Sequence, residues 1–185
     1  MRYLVLLMDM TFFITACINP GADRRNLDLN QNVTEFPTMV IDDQSIRSFD
    51  DCPVTKNGTR SFVPPAPGYQ DLIGQFWFGT DELWTSLPES GEWNGLPQSS
   101  EGYSQKTFWW SEGYSAMDDP DPDLRVTGTR LDLPEIYLIA FRATHAMNTD
   151  IGSAMLVGVV LPSAGCWEIT GHFRDDSLTY VIWVT

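Results

Sequence analysis

The C-terminal part of the chain, residues 152–185, constrains the fold more than any other stretch. It holds three apolar runs separated by turn-forming residues at 162–165 and 175–176. In the last run, alternate residues are apolar, namely Leu178, Tyr180, Ile182 and Val184. The run before it shows the same pattern with Trp167, Ile169 and Phe173. Period-2 alternation is typical of β-strands that bury one face. Short connections between such strands favour antiparallel neighbours.

The same patterns of apolar runs and turn residues continue upstream, and together they predict the fold class. Strands are predicted at 83–87, 106–110, 124–130, 136–142, 154–161, 166–173 and 178–184, and no long amphipathic helix pattern is found. Many short strands with frequent turn signals predict an all-β fold: an immunoglobulin-like antiparallel β-sandwich with an irregular N-terminal extension. A closed barrel is the alternative.

The N-terminus has the pattern of an export signal. Arg2 precedes an apolar run that ends in Ile14-Thr-Ala-Cys17, and this ending resembles the lipobox of bacterial lipoproteins. The resemblance implies cleavage before Cys17 and lipid attachment to its thiol, which would place the protein on the extracytoplasmic face of a bacterial cell membrane. Asp9 departs from the pattern, and a signal peptide without lipidation or a different start codon are alternatives. The expected organisation is a signal peptide at 1–16, a lipidated flexible tether at 17–35 and one domain at 36–185.

The chain has three cysteines, an odd number for an exported protein. Lipidation of Cys17 would leave Cys52 and Cys166 as the only internal pair. We therefore predict a disulfide between these two, as expected in an oxidising compartment. Two separate buried thiols are the alternative.

The charge of the chain argues against several classes of partner. The formal net charge is −14, from 25 acidic and 11 basic residues, and such a surface repels phosphate backbones and anionic lipid headgroups. Nucleic-acid binding is not expected, and membrane contact is expected through the N-terminal lipid alone. No phosphate-binding glycine loop and no Gly-x-Ser-x-Gly sequence occurs, and no cofactor or catalytic residue is predicted.

Aromatic residues are the strongest residue-level signal for binding. Four of them, Tyr103, Trp109, Trp110 and Tyr114, are candidates for contact with a protein or carbohydrate ligand. Adjacent Trp109 and Trp110 must point to opposite faces of a strand, so one is expected in the core and the other exposed or under a loop. The alternative is that such rings only fill the core.

Two other functions are kept as alternatives. A small extracytoplasmic enzyme would have its site in the loops of 103–123. A metal-handling module would use His145 and His172, with Met147 and Met155 as soft ligands. The alternating carboxylates of 119–123 open like a calcium loop but lack its glycine and closing glutamate, so a solvated acidic loop is preferred and no metal site is predicted.

Finally, the C-terminal block Gly165-Cys-Trp-Glu-Ile-Thr-Gly171 resembles that of a group of bacterial lipoproteins of uncharacterised activity, in which isoleucine or valine follows the glutamate. Further blocks look like landmarks of the same group: Cys52-Pro-Val-Thr55, Leu83-Trp84, Phe108-Trp-Trp110 and the run 126–132. The resemblance implies a location and a β-rich domain, without a catalytic residue. We expect an exported, lipid-anchored cell-envelope protein that acts as a binding or structural module.

Overall fold

The computed structural model describes residues 46, 48–58, 62–65 and 73–185, which belong to one compact unit, Asp42–Thr185. The predicted signal peptide at 1–16, the predicted lipidation site Cys17 and the tether at 17–35 lie outside the described residues. Within the described part, no helix is long and apolar enough to cross a membrane.

The described residues form one short 3-10 helix, Phe49–Asp51, and eleven β-strands. The strands are β1 (Gln75–Gly79), β2 (Trp84–Pro88), β3 (Glu92–Trp93), β4 (Gln98–Ser99), β5 (Gly102–Trp110), β6 (Leu124–Arg130), β7 (Ile139–Ala140), β8 (Thr144–Asn148), β9 (Gly152–Leu161), β10 (Gly165–Phe173) and β11 (Asp176–Val184).

The strands are arranged in two sheets. The first has the order β1-β2-β5-β9-β7, with β4 paired to β5 and β8 paired to β9, and the second has the order β3-β11-β10-β6. Their pairings are antiparallel except that of β3 with β11, which is parallel. The prediction of an all-β sandwich is therefore confirmed. The immunoglobulin-like strand arrangement stays a prediction.

The core lies between the sheets, and the C-terminal hairpin contributes the faces that its alternation predicts. On β10 the side chains of Trp167, Ile169 and Phe173 are buried in the main core, and on β11 those of Ile182 and Val184 join them. Burial of each such side chain stabilises the fold by about 1.5–3 kcal/mol relative to exposure. The hairpin is thus a main structural element of the sandwich.

A disulfide joins Cys52 to Cys166, with Cα atoms 5.7 Å apart, as predicted from the cysteine count. The bond lies in a small apolar cluster with Val54. Beyond the bond, the Thr55 N–H donates to the Val181 carbonyl and the Val181 N–H donates to Thr55 Oγ1, both at 2.9 Å. The segment of 52–55 is thereby held covalently to β10 and by hydrogen bonds to β11.

The prediction of one strand at 136–142 is only partly correct. Tyr137 forms an isolated bridge with Thr129 of β6, whereas β7 is confined to Ile139–Ala140 and pairs with β9 of the other sheet. The segment therefore passes from one sheet to the other, and neither pairing lasts long enough for a regular strand. The following strand, β8, was not predicted.

Candidate binding sites

The two adjacent tryptophans point to opposite faces of β5, as expected, and both are buried. Trp109 lies in the core between the sheets and donates its indole N–H to Thr107 Oγ1 at 3.0 Å. Trp110 lies on the other face, donates to the Ile151 carbonyl at 2.9 Å and contacts the ring of Trp77 edge-on. Both indoles are thus packed against the protein itself.

The two tyrosines of the predicted aromatic site are also engaged internally. Tyr103 is half-buried and packs against the main core. Tyr114 is buried, contacts Phe173 edge-on and donates its hydroxyl to the Asp119 carbonyl at 3.1 Å. Desolvation by burial, then the nearby Asp119 carboxylate, raise the pKa of Tyr114. The four predicted residues therefore do not form one exposed aromatic surface, and their contact with a ligand stays a prediction.

The two histidines lie on different strands. His145 is on β8, where its Nδ1 lies 2.9 Å from the Pro120 carbonyl, and His172 is on β10 of the other sheet. Among the described residues, no group of three or more His, Cys, Asp or Glu side chains is arranged to hold a metal ion.

The first candidate binding site is an exposed apolar row on the segment that links the two sheets. Tyr137, Ile139 and Phe141 expose 65%, 50% and 58% of their surface. Ile136, which precedes them, and Leu138, which lies between the first two, pack against the core. From 136 to 139 this is the alternation of an extended segment with one buried face, whereas Ala140 and Phe141 are both exposed. Clustered exposed apolar side chains of this kind mark interaction surfaces.

A groove of about 530 Å³ adjoins the row. Its floor includes the buried side chains of Leu124, Val126 and Ala143, and its walls include Phe141. Four charged residues also line it, in two ion pairs: Arg125 with Asp123 at 3.1 Å and Arg142 with Asp121 at 3.9 Å. The charges balance, which sets the groove apart from the strongly acidic chain. We refer to the row and groove together as the edge surface.

The groove follows the outer edge of β6. Gly128 accepts a hydrogen bond from Leu138 N–H, and Arg130 N–H donates to Ile136, so even-numbered residues of β6 direct their backbone groups away from β10. Because these directions alternate along an antiparallel strand, the backbone groups of Leu124 and Val126 also face the groove. The linking segment does not cover Leu124 and Val126, because its residues Ile139 and Ala140 pair with β9 of the other sheet. This stretch of β6 therefore has no neighbouring strand on its groove side within the described fold.

The second candidate is a gap in the first sheet between β2 and β5, which we call the window. The two strands pair only at Trp84–Thr85 with Trp109–Trp110. The Glu89 N–H donates to the Gly74 carbonyl beyond the end of the β1–β2 ladder. Odd-numbered residues of β2 therefore direct their backbone hydrogen bonds to β1, and even-numbered residues direct theirs to β5. Pro88 therefore presents no N–H where the ladder would continue. On the β5 side, Lys106 N–H is already bonded to Gln105 Oε1 at 3.0 Å.

The window opens into a pocket of about 210 Å³ that reaches the core. Trp93 and Tyr180 of the second sheet line its base. Residues of the first sheet line its sides: Gln75, Thr85, Ser86, Pro88, Gln105, Lys106, Thr107 and Phe108. Thr85 donates its hydroxyl to Phe108 and Thr107 donates to Val157, at 2.8 and 3.1 Å. These bonds satisfy the hydroxyl donors of two polar residues that are buried inside a sheet.

Comparison of the chain with protein-family models, with curated proteins and with solved structures gives no match. The sequence reasoning missed both candidate sites. Pro88, directly after the predicted strand at 83–87, is the signal in the sequence that indicates the window. The apolar residues at 137, 139 and 141 alternate, which predicts a strand but not an exposed surface, because whether an alternating face is buried depends on what packs over it.

Proposed function

We propose that the chain is an exported lipoprotein of the bacterial cell envelope, anchored through Cys17, and that its sandwich domain binds a partner protein at the edge surface. The observation that carries the location is the Cys52–Cys166 disulfide, because such bonds persist in oxidising compartments and are rare in the cytosol. It also accounts for two of the three cysteines and leaves Cys17, in its lipobox-like sequence, as the unpaired one.

The binding role is supported by the exposure of Tyr137, Ile139 and Phe141 beside the open stretch of β6. The proposed occupant is an extended segment of the partner protein that adds to β6 as a strand, since main-chain hydrogen bonds at a sheet edge give affinity and neighbouring side-chain pockets give specificity. The apolar floor and the balanced pairs of aspartates and arginines favour a segment with apolar side chains and little net charge over a highly charged one.

Lipidation is tested by growth of an expressing bacterium with labelled palmitate. The chain is expected to incorporate label, and Cys17→Ser is expected to abolish incorporation without altering the disulfide. Cys166→Ser is the matched control, which removes a different cysteine and is expected to retain label in whatever protein accumulates. Absence of label from the unaltered chain in a strain that lipidates other proteins would refute the anchor.

Binding at the edge surface is tested separately by placing a photo-crosslinking amino acid at position 139 or, as a control, at Met117, which is 74% exposed and does not line the groove. A discrete crosslinked partner is expected from position 139 alone, and Phe141→Asp is expected to remove it. That variant leaves the side chain of Val126 and the open backbone edge of β6 unchanged, so it tests the contribution of the Phe141 ring. Equal crosslinking from both positions, or none from 139, would contradict the proposed surface.

A further inference from the structure

The pocket behind the window has at its base the side chain of Tyr180. Tyr180 is only 1% exposed and lines the base of the pocket, yet its hydroxyl makes no hydrogen bond with any described residue. The Tyr180 oxygen is not a fully enclosed polar atom without a partner; it is open to the pocket, where a bound molecule can accept its hydrogen bond. Burial also raises the pKa of Tyr180, so the hydroxyl remains a donor throughout the physiological range.

The other walls combine flat apolar rings with uncharged polar groups. Trp93 and Phe108 contribute rings, while Gln75, Ser86 and the Gln105 amide contribute donors and acceptors. Among the described lining residues, Lys106 carries the only charge and no carboxylate is present. The groove beside β6 and a further groove lined by Asp81 and Asp176 both contain aspartates, so the window pocket differs from these two in chemistry.

From this arrangement we propose that the window pocket binds one neutral sugar ring, with the Tyr180 hydroxyl donating to a ring substituent and Trp93 and Phe108 against its apolar C–H faces. This site is independent of the edge surface. Sugars present both hydroxyl groups and apolar C–H faces, which matches a site of aromatic rings and uncharged hydrogen-bonding groups. An anionic ligand is disfavoured by a chain of net charge −14, despite the single ammonium at Lys106.

The size of the pocket restricts the ligand to a single ring. Its volume of about 210 Å³ corresponds to roughly seven water molecules at ~30 Å³ each. Sites for drug-sized ligands are larger, about 300–1,000 Å³. We therefore limit the proposed ligand to one ring, and a disaccharide would have to leave its second ring outside the window.

The test is isothermal titration of the full chain with D-glucose, D-galactose and D-mannose, with D-glucuronate as the anionic arm and maltose as the size arm. At least one neutral monosaccharide is expected to bind with a Kd of about 1 mM or tighter, and glucuronate and maltose more weakly. Failure of all three neutral sugars at that level would overturn the proposal. Preference for glucuronate would overturn the neutral class, and preference for maltose would overturn the one-ring limit.

Tyr180→Phe is the most specific variant, because it removes one oxygen and keeps the ring that packs on Trp93 and Trp109. Loss of one hydrogen bond is expected to weaken sugar binding about three- to tenfold, with an unchanged or slightly higher melting temperature. Tyr114→Phe is the control: its hydroxyl bonds Asp119 outside the pocket, and affinity is expected to stay the same. Equal affinities for Tyr180→Phe and the unaltered chain would overturn the assigned contact.

Discussion

The indole ring of Trp109 on β5 lies against the backbone of Gly171 on β10, so that a Cβ at position 171 would be 2.5 Å from Trp109 Cζ3. The contact joins the two sheets at the centre of the core, and Tyr180 flanks the same indole with ring centroids 5.8 Å apart. The position of Trp109 is therefore set by the absence of a side chain on the opposite sheet.

Gly171→Ala is expected to destabilise the fold by about 1–3 kcal/mol, because the added methyl group overpacks a rigid ring. Urea unfolding measures the loss as a lower midpoint with an unchanged slope. Gly58→Ala is the matched control, since nothing lies within 4 Å of a Cβ there, and its effect is expected to stay within about 0.5 kcal/mol. Similar losses in both variants would show that the contact with Trp109 is not the cause.

Removal of the disulfide is expected to have a large effect. Cys52 and Cys166 are 114 positions apart, and closing a loop of that length contributes about 4–5 kcal/mol in the chain-entropy model. The double variant Cys52→Ala/Cys166→Ala is expected to lose most of that free energy of unfolding. Reductant should lower the melting temperature of the unaltered chain and leave that of the double variant unchanged. A reductant effect of equal size in both would contradict this account.

The ion pair of Arg130 and Asp132 is expected to make stability pH-dependent. Partial burial opposes ionisation of Asp132, but hydrogen bonds from Arg130 and from backbone, with the charge of Arg130, outweigh it and hold the pKa of Asp132 below its ordinary value. Arg130 also donates to Ser163 Oγ at 2.9 Å, which ties the pair to the turn before β10. The side chains are only 12% and 10% exposed, so solvent screening is limited.

Because the folded-state pKa is lowered, the contribution of Asp132 is complete at neutral pH and is lost as pH falls from about 4 through the folded-state value. Asp132→Asn is expected to cost about 1–3 kcal/mol at neutral pH, and the difference from the unaltered chain should shrink in acid. Asp123→Asn removes a carboxylate from the exposed pair with Arg125 and should have little effect at either pH. A difference that is constant with pH would contradict the role of the Asp132 charge.

Local alternation was sufficient to predict the C-terminal hairpin. The residues that share a face of β10 and of β11 are predicted correctly because each run keeps a period of two between clear turn residues. The opposite directions of Trp109 and Trp110 followed from the same rule. The disulfide followed from the cysteine count together with the reading of Cys17, rather than from geometry.

The features that could not be predicted from the sequence depend on pairing between strands that are distant in the chain. The segment of 136–142 has the composition of a strand, but Tyr137 pairs with one sheet and Ile139 with the other, and no local pattern encodes that change of partner. The window likewise exists because β2 and β5 stop pairing after Thr85, and its base comes from Trp93 and Tyr180 of the other sheet. Both candidate sites therefore required the three-dimensional arrangement.

The most direct test of the proposed location is intact-mass analysis of the protein purified from bacterial membranes, treated with a thiol-alkylating reagent without reductant. The account predicts a chain that begins at Cys17, carries the mass of its lipid, and takes up no alkyl group, because Cys52 and Cys166 are joined and the thiol of Cys17 carries the diacylglyceryl group. A chain that retains residues 1–16 without lipid, or that gains two alkyl groups, would contradict it.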